Sequence, residues 1–135
     1  MKKFTYTFTV PKDAIDFNGH VNNVTYLSWM IEAATKHSES VGYGYEACLA
    51  LGGTWVAKSH HIDYKRPAFE GDVLRMETWV DEIGKVMSVR DYRLVRQKDN
   101  KVICEGRTEW VFVDSVHMRP MKIPEKIVYG FSIDM

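Results

Sequence analysis

The chain has 135 residues, enough for one domain with a single sizeable core and too few for a second domain of ordinary size. Its composition, 45% apolar and 27% charged, belongs to a globular protein and excludes a disordered one. Lysine plus arginine match aspartate plus glutamate at 18 each, so no basic excess marks a nucleic-acid binder and no net charge discourages self-association.

Met1-Lys2-Lys3 imitates the charged start of a signal peptide. The stretch that follows alternates and holds no apolar block, so no export is expected and the predicted location is cytoplasmic. Phe4, Tyr6, Phe8 and Val10 share one face with threonines between them, which predicts a strand with one buried side; Pro11 ends it. Residues 11–21 read as a loop rich in Asp, Asn and Gly.

From Val24 the period becomes helical. Tyr26, Met30, Ala33 and His37 line one face, Leu27, Ile31 and Ala34 flank it, and Ser28, Glu32, Lys36 and Glu39 leave only a narrow polar stripe. A helix this apolar is expected to be covered on several sides. Asn22 is a suitable N-cap, Val21 can staple onto Tyr26, and Gly42 and Gly44 signal the end. A short second helix is expected over Tyr45–Leu51.

Four strands are predicted next, near Trp55–Arg66, Val73–Asp81, Val86–Gln97 and Lys101–Asp114, with hairpin turns at Gly84-Lys85 and Asp99-Asn100. The tail, interrupted by Pro120 and Pro124, receives no assignment. No apolar run approaches the length of a membrane span. Cys48 and Cys104 are read as two buried thiols in a reducing compartment.

One helix and about five long strands predict a single α+β domain over residues 1–135: a curved antiparallel sheet wrapped around the long helix. The uncovered edge and face invite a second copy.

The densest polar cluster is Asp13-Ala14-Ile15-Asp16-Phe17-Asn18-Gly19-His20-Val21-Asn22-Asn23, which feeds the N-terminus of the buried helix. A helix N-terminus offers unpaired N–H groups and a partial positive charge, both suited to a developing oxyanion. With Asn22 as cap, the Asn23 N–H is one such donor, and a nearby carboxylate can serve as nucleophile or general base. The same residues also fit an ordinary polar loop with an N-cap.

Asp16-x-x-Gly19-His20-Val21-Asn22-Asn23-x-x-Tyr26-Leu27 resembles the signature of hotdog-fold acyl thioesterases, in particular the branch of 4-hydroxybenzoyl-CoA thioesterases. Ile62-Asp63-Tyr64-x-Arg66-Pro67-Ala68-x-x-Gly71-Asp72 resembles the strand–turn–strand segment that follows the helix in those proteins. The resemblance implies a hotdog fold, an acyl-CoA substrate with coenzyme A as part of it, no cofactor and no metal, and a homodimer or homotetramer with the thioester at a subunit interface. It places Asp16 as the catalytic carboxylate and the Asn23 backbone N–H as the donor to the thioester carbonyl. The pantetheine arm would run along the helix with the phosphates near the surface.

His20, Asn22 and Tyr26 are candidate substrate contacts. Lys85, in its turn, is the first candidate for the CoA phosphates, ahead of Arg66, Arg90, Arg93 and Arg96. Ala14 stands where the family often has a further Asp, and Asp13 receives no catalytic role. Glu32 is the backup base on the helix. His20 lies one residue out of the register used by hotdog hydratases, and the Pro of that pattern is missing. His37 is read as structural, and His60 and His61 as structural or interface residues; these two, adjacent on a strand, point to opposite faces and form no metal site. No Gly-x-Ser-x-Gly elbow and no phosphate-binding glycine loop is present. The expected activity is acyl-CoA hydrolysis. The alternatives are an acyl-thioester-binding module without turnover, an acyl-carrier-protein thioesterase, or a hydratase.

Overall fold

The computed structural model describes residues 3–132; Met1, Lys2 and positions 133–135 lie outside the described residues. The elements are β1 (Phe4–Thr9), α1 (Asn23–Ser40), α2 (Tyr45–Ala50), β2 (Gly53–Tyr64), β3 (Val73–Ile83), β4 (Met87–Arg96), β5 (Lys101–Asp114) and α3 (Glu125–Ser132). The five strands form one antiparallel sheet in the order β1-β3-β4-β5-β2. The first two strands in sequence therefore occupy opposite edges. The long helix between them carries the chain across the sheet, burying Tyr26, Met30, Ala33, Ala34 and His37.

Side-chain alternation sorts the two faces. On β4, Ser88, Arg90, Tyr92 and Leu94 all point into the helix side and are buried. On the outer face, Arg75 pairs with Glu77, Arg93 with Glu105, and Arg107 with Asp91 and Asp81. The sheet is thus mostly apolar inside, with Thr78, Ser88, Arg90 and Thr108 as buried polar exceptions, and laced with ion pairs outside.

Helix and sheet approach closely at Gly106, where an added Cβ would lie 2.6 Å from Met30 Sδ. No side chain fits there without displacing Met30. The main core spans α1, β3, β4 and β5; a second cluster of Cys48, Val80, Phe112, Ile123, Ile127 and Phe131 lies under α2 and α3. Both cysteines are free and buried.

Three features differ from the sequence reading. The unassigned tail folds as α3: Pro124 opens it by accepting from the Ile127 N–H, and Ile127 and Phe131, four apart, bury one face. Arg90, a sequence candidate for a surface cation that holds a phosphate, is buried at 4% exposure, because it occupies the inward row of its strand. The helix α1 is covered on one side only, leaving Val24 and Ile31 exposed, since one chain supplies only one sheet.

Candidate active site

Residues 10–22 form a pinned loop. The Asp16 N–H donates to His20 O at 3.0 Å, and the Gly19 N–H donates to Asp16 O at 3.0 Å. Together they close a turn that Gly19 completes at φ +83, a value glycine adopts without strain. The Asn18 N–H donates to Asp16 Oδ1 at 2.8 Å, fixing the carboxylate against its own turn. Phe17, at the tip, is 97% exposed.

The loop is anchored at both ends. Asn22 N–H donates to Ala14 O and Val21 N–H to Ala68 O, each at 2.9 Å. Gly71 N–H donates to Val10 O, and Val10 N–H to Asp72 O. The two sequence motifs, far apart in the chain, are therefore bonded to each other. Asp72 is held in turn by Arg96, which also pairs with Asp99 and donates to Pro67 O.

At the start of α1, Asn22 Oδ1 accepts the Val24 N–H at 2.9 Å and Asn22 O accepts the Thr25 N–H at 3.0 Å. The Asn23 N–H has no acceptor among the described residues, so it remains available at the positive end of the helix. Tyr64, at the end of β2, donates its hydroxyl to Asn23 O at 3.1 Å. Neither Tyr64 nor Phe69 carries a role in the sequence reading. Tyr64 stands inside the second motif, which is the available signal; Phe69, edge-on to His20 with centroids 6.5 Å apart, leaves none.

Of the sequence candidates, Asp16, His20, Asn22 and Asn23 are gathered here. His20 is half-buried. Tyr26 is fully buried, edge-on to Trp29 and beside Tyr64. Burial, reinforced by Cys104, pushes its pKa up to about 12, so the phenol stays neutral. Glu32 lies on the exposed stripe of α1, 3.8 Å from Lys36. Lys85 is exposed in the β3–β4 turn and makes no ion pair among the described residues, but it sits at the other end of the sheet. Asp72, beside the Asp16 loop, precedes β3 and Lys85 follows it, a span of roughly 35–40 Å at the rise of a strand. One chain does not bring Lys85 to Asp16. Arg93 and Arg96 are engaged in ion pairs, and Arg66 donates to Val102 O. Among the described residues no three His, Cys, Asp or Glu side chains gather as a metal-ligand set, and no helix is long and apolar enough to cross a membrane.

The thioesterase-like superfamily model matches residues 10–131. Oleoyl-acyl carrier protein thioesterase 1 of Arabidopsis thaliana is 26% identical over 127 residues, covering 89% of this chain, and the chain spans only 35% of that relative's length. The acyl-CoA thioester hydrolase YbgC of Escherichia coli O6:H1 is 24% identical over 128 residues, covering 95% of both chains. Among solved structures, a 1,4-dihydroxy-2-naphthoyl-CoA thioesterase from Synechocystis superposes with a TM-score of 0.89 at 18% identity, over 97% of this chain and 96% of the other. That likeness establishes the hotdog fold.

Proposed function

The chain belongs to the thioesterase-like superfamily, and from that membership we propose that it hydrolyses acyl-CoA thioesters: R–CO–S–CoA and water give R–COOH and CoA-SH. The observation that carries the reading is the free Asn23 N–H at the helix start, next to a turn that holds the Asp16 carboxylate. The thioester carbonyl oxygen accepts from Asn23 and gains negative charge as the carbonyl carbon is attacked. Asp16 supplies the attack, either directly, forming a mixed anhydride that water then opens, or by deprotonating that water. The C–S bond breaks and the thiolate leaves with a proton. His20 and Asn22 border the acyl thioester, and no metal or cofactor takes part.

Coenzyme A is favoured as carrier because the relative named for acyl-CoA matches this chain over 95% of both lengths. The test is release of free thiol from short, long and aromatic acyl-CoAs, by the wild type and by Asp16→Asn. Turnover with at least one class, cut about 10²–10⁴-fold in the variant, is expected. Binding of acyl-CoA without thiol release would make the protein a binding module.

A further inference from the structure

At the opposite end of α1 lies a cavity of about 230 Å³, walled by Ala34, Tyr43, Trp55, Val80, Ile83 and Phe131, with Arg90 at its lining. Ala34, Thr35 and Ser38 of its wall come 11 to 15 residues after Asn23 on the helix, roughly 16–22 Å along the axis. It is not the Asp16 site of the same chain. Its volume is below the ~300 Å³ at which drug-sized pockets begin, so it takes a single ring or a short chain.

Arg90 makes this cavity chemically unusual. Its Nη1 donates to His37 Nδ1 at 2.9 Å and to Thr78 Oγ1 at 3.1 Å, and its guanidinium carbon lies 5.6 Å from the centre of the Phe131 ring. These contacts fix the plane of the fork. They use one nitrogen. Nε and Nη2 have no acceptor among the described residues, and neither is sealed from solvent as Tyr92 Oη and Trp110 Nε1 are. No carboxylate among the described residues pairs with Arg90. Burial pulls its pKa down to about 10, with Tyr92 opposing, so it remains a cation at neutral pH.

A buried cation with no carboxylate partner among the described residues calls for an anion. The open Nε/Nη2 edge matches the two oxygens of a carboxylate bidentately. A phosphate dianion would call for more than the one cation present; the remaining walls are mostly apolar, with hydroxyl side chains such as Thr35, Ser38, Thr54 and Ser88 among them. We propose that this cavity binds a small organic carboxylate with an apolar body, its oxygens on Nε and Nη2 of Arg90 and its body against Trp55, Val80 and Ile83. Two molecules carry that chemistry: a free carboxylic acid, or an acyl group bearing a second carboxylate at its far end.

The experiment titrates the full chain, in its native assembly, with matched pairs: phenylacetate against phenylacetamide and hexanoate against hexanamide, read by calorimetry. The acid is expected to bind about tenfold or more tightly than its amide, the margin of a charge-assisted fork over a neutral contact. Arg90→Gln should erase that margin. Because Arg90 is buried and its variant can misfold, Thr54→Phe serves as the second variant: it fills the cavity from a half-buried position and should abolish acid binding with Arg90 intact. Equal affinity for acid and amide, no binding of either acid, or undiminished binding by a folded Thr54→Phe would each overturn the proposal. The source is separated by comparing kcat/KM for CoA thioesters of a monocarboxylic and a dicarboxylic acid of equal length. A preference for the second identifies the distal carboxylate, and no preference identifies the free acid. The binding measurement requires no turnover, so its result is independent of the hydrolase reading.

Discussion

The Tyr64 hydroxyl donates to the Asn23 carbonyl oxygen at 3.1 Å, tying the last residue of β2 to the first residue of α1. Asn23 thus has its carbonyl braced by the sheet and its N–H left open. Tyr64→Phe keeps the ring and deletes the bond. Tyr64 is exposed, so the melting temperature should hardly move. Turnover should fall about two- to tenfold, the equivalent of a net hydrogen bond of roughly 0.5–1.5 kcal/mol. An unchanged kcat would mean the helix start needs no brace from β2.

The carboxylates near the helix can be ranked in one series. Asp16→Asn is expected to lose kcat and keep KM, since an interaction made only in the transition state leaves ground-state binding nearly unaltered. Asp13→Asn and His20→Ala should each cost much less. The side-chain amide introduced by Asp16→Asn retains an oxygen for the Asn18 N–H, so the turn survives the substitution. A Glu32→Gln enzyme without turnover, beside an Asp16→Asn enzyme that keeps most of it, would move the base onto the helix.

Alkaline pH should loosen the fold. Burial, with Glu105 adding to it, pushes the Cys104 thiol from its ordinary 9.0 up to about 12, and Tyr26 rises from 10.0 to about 12. Both groups hold their proton more tightly when folded than when unfolded. Their contribution is therefore complete below the unfolded values and is lost as pH climbs from about 9 towards about 12. Urea midpoints measured across that window should decline steadily. A flat midpoint would show that these groups are not protected by the core.

In solution the chain is expected to be at least a symmetric dimer. β2 lies at an edge of the sheet, and residues 57–61 are exposed on both of its faces. Val24 and Ile31 leave an apolar flank of α1 open on the same molecule. Pairing β2 with its copy would continue the sheet and set two helices side by side. Light scattering at micromolar concentration should report no dominant 15.7 kDa species; finding only that species would refute the assembly.

What the sequence discloses follows from periodicity and caps. The α1 signal combines a 3.6-residue apolar pattern with Asn22 as cap, and the helix starts at Asn23. Alternation and the Gly84 and Asn100 turns locate the strands within a few residues. Strand order is not legible, because it depends on where α1 deposits the chain. The charge of Arg90 suggests the surface, whereas its strand parity, shared with Tyr92 and Leu94, points inward, and parity decides. The α3 helix is hidden by Pro124, which reads as a breaker yet sits where a helix tolerates proline. At the site, the Asp16 turn and the Asn22 cap are visible as local motifs. Tyr64 joins Asn23 from 41 residues away, and no local pattern announces such a bond.

Asp16 and Lys85 stand at opposite ends of the sheet in one chain, so any site that uses both must take one from each of two copies. The assembly is then open to complementation between defective subunits. Asp16→Asn copies and Lys85→Glu copies would each be impaired alone. Mixed and reassembled, a dimer of one each would contain one doubly damaged site and one with both native residues. Activity regained on mixing would measure the sharing directly, and a mixture no better than its parents would assign Lys85 to some other surface.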